Sequence, residues 1–65
     1  MDTQCKQVYA YMDVNGSITS MDAFRDLGIT RLSARIKDLR DSGVEIETIM
    51  EQNKKSRYAR YYIKK

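Results

Sequence analysis

The chain has 65 residues, 42% hydrophobic and 32% charged, and within that length there is room for one small core but not for two domains. Its single cysteine, Cys5, cannot form an intramolecular disulfide, and the lack of His leaves no zinc set and no Cys-His nucleophile. The net charge of +3 conceals a polarity: residues 53–65 hold six basic side chains and no acid, whereas all nine acids precede them, a split that directs one region toward a polyanion.

Between Thr3 and Asp13, the positions Cys5, Val8, Tyr9, Tyr11 and Met12 follow helical spacing, which predicts a first helix over 3–13 closed by the turn-forming DVNGS. Residues 17–19 leave room for a short β segment. Ser20 is placed to cap a second helix over 21–27, with Met21, Phe24 and Leu27 on its apolar face and Gly28 at its end. Thr30 is similarly placed to cap a third helix over 31–42, whose buried stripe is Leu32, Ile36 and Leu39 and whose stop is Gly43.

Beyond Gly43 the period changes to two. Val44, Ile46 and Thr48 alternate with Glu45 and Glu47, predicting a strand over 44–50, and RYARYYI predicts a second over 57–63. In that second strand Ala59, Tyr61 and Ile63 take one side and Tyr58, Arg60 and Tyr62 the other. The two strands form a hairpin with the basic NKKSR at its tip. Tyr61, with Tyr9 or Tyr11, is expected in the core, and Tyr58 and Tyr62 outside it.

Two short helices joined through DLGIT suggest a helix-turn-helix, and the order helix, short β segment, two helices, hairpin is that of a winged helix. The run GSITSMDAFRDLGITRLSARIKDLRDSGVEIET with RYARYYI resembles the small winged helix-turn-helix domains of bacteriophage and prophage proteins, over residues 7–63. LGITRLSARIKDLR carries most of that likeness. One departure is visible: such motifs often hold a small residue four positions before the turn glycine, where this chain has Phe24, with Ala23 one step earlier. The resemblance implies an α+β fold of three helices and a two-stranded wing, one domain over 1–65, and DNA binding with the third helix as reader.

If Leu32, Ile36 and Leu39 face inward, the first two turns of the third helix present Thr30, Arg31, Ala34 and Lys37 outward, with Ser33 on the shoulder; these are the candidate base contacts. Arg31 can span guanine with two hydrogen bonds, and its alternative is a surface arginine paired with an acid. Lys54, Lys55 and Arg57 at the wing tip, with Arg60 further down, are candidate contacts to backbone or minor groove; four such contacts give a slope of log K against log salt of roughly −3.6. Arg35 and Arg40 flank the buried stripe, where they can grip phosphate but better suit packing and pairing with Asp22, Asp26 or a strand glutamate. Asp38 and Asp41 on the exposed face oppose close approach of phosphate.

The expected function is therefore sequence-specific binding of double-stranded DNA, as a phage or prophage regulator or a recombination or replication accessory. One short reading helix spans few base pairs, so specificity calls for a homodimer, neighbouring copies or a larger assembly. The alternative is a protein-binding winged helix that inhibits or adapts a host protein through Asp38 and Asp41. With no Gly-rich phosphate loop and no carboxylate set beside a nucleophile, neither an enzyme, a cofactor nor a small-molecule substrate is expected. No apolar run approaches the roughly 20 residues of a membrane span, and MDTQCKQVYAYM lacks signal-peptide character, so a cytoplasmic location without membrane partners is expected.

Overall fold

A computed structural model describes residues 3–64. Its elements are helix α1 (Thr3–Asn15), strand β1 (Ile18–Thr19), helix α2 (Ser20–Asp22) running into a π-helical turn (Ala23–Leu27), helix α3 (Leu32–Asp41), and strands β2 (Ile46–Gln52) and β3 (Arg57–Ile63). The strands form one antiparallel sheet in the order β1-β3-β2, so the last strand in sequence is central. Ile18 pairs with Tyr61, Ile46 with Ile63 and Gln52 with Arg57, a register that leaves residues 53–56 as the hairpin loop.

The core joins one face of each element: Cys5, Val8 and Met12 from α1, Ile18, Ala23, Ile29, then Leu32, Ile36 and Leu39 from α3, and Ile46. Spacings of three and four residues put each helical set on a single stripe. Tyr11, Leu27, Val44, Tyr61 and Ile63 pack around it partly buried. The buried stripe of α3 and the span of β3 are those the residue pattern predicts; β2 begins two residues later than the alternation suggests. Val44 continues the alternation, but its N–H caps α3 by donating to the Leu39 carbonyl, while the Gly43 N–H reaches Arg40, the paired bonds of a Schellman stop.

The second helix departs furthest from expectation. Its cap is Thr19, not Ser20: the Thr19 hydroxyl accepts from the Asp22 N–H and the Asp22 carboxylate accepts from the Thr19 N–H, each at 3.1 Å. This reciprocal box satisfies a buried threonine and stabilises the helix start by about 1 kcal/mol. Nor do Met21, Phe24 and Leu27 form the buried face, since Met21 is 67% and Phe24 61% exposed while Ala23 is fully buried.

The cause is the π turn. The N–H of Gly28 reaches back to the carbonyls of both Ala23 and Phe24, so the turn holds one more residue than an α turn. Ala23, five residues before Gly28, therefore occupies the inward place that a regular turn would give to the residue four before it, and Phe24 is carried outward. Gly28 closes the turn at φ +68°, a conformation glycine adopts without the Cβ penalty. α3 then starts at Leu32 after Arg31, whose capping position carries no side-chain hydrogen bond, so Thr30 does not serve as its cap.

Candidate nucleic-acid interface

The exposed end of α3 is built by the turn before it. Ile29, buried, fixes the chain after Gly28, and Leu32 re-enters the core three residues later, so Thr30 and Arg31 stay outside. Thr30, Arg31 and Ala34 line one open concavity of about 460 Å³, walled also by Gln4 of α1, Gly28 and Arg35. Ser33 and Lys37 are exposed on the same helix but do not line it.

The basic side chains divide into two groups. Arg25 holds Asp22 at 3.1 Å and Asp26 at 3.0 Å. Arg35 reaches Asp38 at 3.0 Å and the Gln4 carboxamide at 3.1 Å, its own helix and α1 supplying the partners in place of Asp22, Asp26 or a strand glutamate. Arg40 donates to the Ile46 carbonyl at 2.9 Å and to the Thr48 hydroxyl at 2.8 Å, tying the end of α3 to β2. Lys37 lies 3.8 Å from Asp41 in an exposed pair worth little and easily exchanged.

Arg60 is also committed. It pairs with Glu51 across the hairpin, donates to the Ser17 hydroxyl at 3.1 Å and lies 5.9 Å from the Tyr58 ring centre. The Glu51 carboxylate first, and the Tyr58 hydroxyl next, hold the guanidinium pKa further above its ordinary value. Arg31, Lys54, Lys55 and Arg57 form the other group: among the described residues, all are exposed and none has a side-chain partner. Lys6 and Lys64 share that state at other places.

The wing tip is shaped by a residue the sequence reading did not single out. The Asn53 carboxamide oxygen accepts from the N–H groups of Lys55 and Ser56 at 2.9 and 2.8 Å, and the Asn53 N–H donates to the Ser56 carbonyl at 3.0 Å. Asn53 thereby turns the chain from inside and leaves Lys54 and Lys55 on the solvent side. An asparagine opening a four-residue connection between two strands was the signal for it.

A family model described as a winged helix-turn-helix domain matches residues 3–65. The chain belongs to the winged helix-turn-helix family. Domains of this family are typically DNA-binding modules without enzymatic activity, and the three-stranded sheet with three helices conforms to the type. No curated protein and no solved structure matches the chain. Among the described residues no helix of this winged helix-turn-helix domain is long and apolar enough to cross a membrane, and no cluster of His, Cys, Asp or Glu could hold a metal ion.

Proposed function

We propose that this winged helix-turn-helix domain binds double-stranded DNA sequence-specifically, with α3 in the major groove and the wing on the backbone or in the minor groove. The observation that carries the reading is the division of its cations: Arg25, Arg35, Arg40 and Arg60 are engaged by acids or by carbonyl and hydroxyl groups, while Arg31 and the wing residues Lys54, Lys55 and Arg57 are uncommitted. Uncommitted cations can neutralise phosphates without first breaking an internal pair. Thr30, Arg31, Ser33, Ala34 and Lys37 are the base-contacting set, with Arg31 as the strongest discriminator. Arg60 acts indirectly, by stiffening the wing against Glu51. Asp38, one of the two residues that a protein-binding role would direct at a basic partner, is already engaged with Arg35, which favours the DNA reading. The biological setting that suits it is regulation, or an accessory role in recombination or replication, in a phage or prophage within the bacterial cytoplasm.

The test is selection of bound duplexes from a random pool, followed by anisotropy titrations across a salt series. Neutralising Lys54, Lys55 and Arg57 together should weaken binding to every duplex and reduce the salt slope by roughly 2.7. Arg31→Ala should cost about 1–3 kcal/mol on the selected site and relax preference at one position. Absence of salt-sensitive binding to any duplex would refute the proposal.

A further inference from the structure

β2 is an outer strand of the sheet, and the backbone bonds at its two ends show which of its groups point outward. The Lys64 N–H donates to the Glu45 carbonyl and the Asn53 N–H to the Ser56 carbonyl, so the odd-numbered residues of this strand bond to β3. The even-numbered residues Ile46, Thr48, Met50 and Gln52 therefore turn their N–H and C=O groups to the open edge. Arg40 bears this out at one position: its guanidinium donates to the Ile46 carbonyl from that side and to the Thr48 hydroxyl. The lower end of the edge is thus capped by Arg40, while Thr48, Met50 and Gln52 remain open. Met50 is 60% and Ile49 43% exposed at the middle of this stretch.

We propose that β2 is a self-pairing edge, through which two copies of the chain join antiparallel over Thr48–Gln52 with Met50 opposite Met50. A two-fold axis normal to the sheet sets residues of like parity opposite one another, which restricts the registers to those centred on one residue. Centring on Glu47 or Glu51 places that acid against itself, centring on Ile49 places Glu47 against Glu51, and centring on Thr48 places Glu45 against Glu51. Centring on Met50 opposes no two acids and, unlike centring on Gln52, keeps the paired residues within β2. It sets Glu47 against Asn53 of the second copy and brings Glu45 beside the Lys54 that opens its turn, so that the acidic base of each strand lies along the basic tip of the other. Charge complementarity comes from the polarity of the chain itself, and this is the ground for a second copy as the occupant. The paired backbone stops at Ile46, where Arg40 already holds the carbonyl.

Sedimentation equilibrium without DNA tests the proposal, so its outcome is separate from that of the DNA-binding reading. The expected result is a reversible monomer–dimer equilibrium. Met50→Pro removes only an outward-pointing donor and leaves the ladder to β3 intact, so this variant should keep its circular dichroism and stay monomeric. Glu45→Lys and Lys54→Glu should each weaken dimerisation several-fold, and the two together should restore it; this exchange decides the matter if the proline variant loses its fold. The proposal is overturned if the wild-type chain stays monomeric up to about 1 mM, which would leave the edge to a different protein strand. A dimer unchanged by Met50→Pro, or a charge exchange that fails to restore association, overturns it equally.

Discussion

At the scale of single residues, Asp26 shows how a surface group links two helices. Its carboxylate accepts from the Tyr11 hydroxyl of α1 at 2.6 Å and from the Arg25 guanidinium at 3.0 Å. Arg25 first and Tyr11 second hold the carboxyl at about 2, and the same carboxylate pushes the Tyr11 hydroxyl pKa up. An unfolded aspartate titrates near ~3.9. The folded state binds this proton more weakly, so the link contributes stability above about pH 4 and loses it as pH falls toward 2. Tyr11→Phe removes one donor. In a carboxyl NMR titration the Asp26 midpoint should then rise toward the ordinary range; an unmoved midpoint would show that the tyrosine contributes nothing to it.

At the scale of elements, the legibility of the sequence was uneven for a physical reason. α3 reads directly because Leu32, Ile36 and Leu39 keep an uninterrupted helical period and Gly43 stops it. The second helix misleads because a period of 3.6 cannot be carried through a turn that holds an extra residue: Met21, Phe24 and Leu27 look like a face, yet the π turn rotates Ala23 inward. Of the interface, Arg31 and the wing lysines were visible as exposed charges. The engagement of Arg35 by Gln4, of Arg40 by the Ile46 carbonyl and of Arg60 by Ser17 depends on segments brought together only by folding, and no local pattern announces it. The π turn also yields a test. Deleting Phe24 should convert it to an α turn with Ala23 four residues before Gly28, leaving the buried set unchanged. Circular dichroism should show the same fold, with a melting temperature within a few degrees of the parent; an unfolded variant would mean that the extra residue is needed to cross α2 and α3 correctly.

At the scale of the whole molecule, the C-terminal basic stretch is divided by the fold into parts with different work. Residues 53–56 form the wing loop, and β3 is the middle of the sheet, with Tyr61 and Ile63 packed on the core and Lys54 and Lys55 left outside. Removing residues 58–63 would strip both β1 and β2 of β3, the strand with which each pairs. The truncated chain should lose its cooperative thermal transition, whereas the wing variant with Lys54, Lys55 and Arg57 neutralised should melt within a few degrees of the parent. A cooperative transition in the truncated chain would show that the helices hold together without the sheet.

The central place of β3 also sets an order of events during synthesis. β1 leaves the ribosome some forty residues before the strand it pairs with, and β2 waits for the same partner, so the sheet closes only when Ile63 has emerged. Until then the wing does not exist, although α1, on which α3 packs, has already emerged. A nascent or interrupted chain therefore lacks the wing, and that part of the surface arrives in one step.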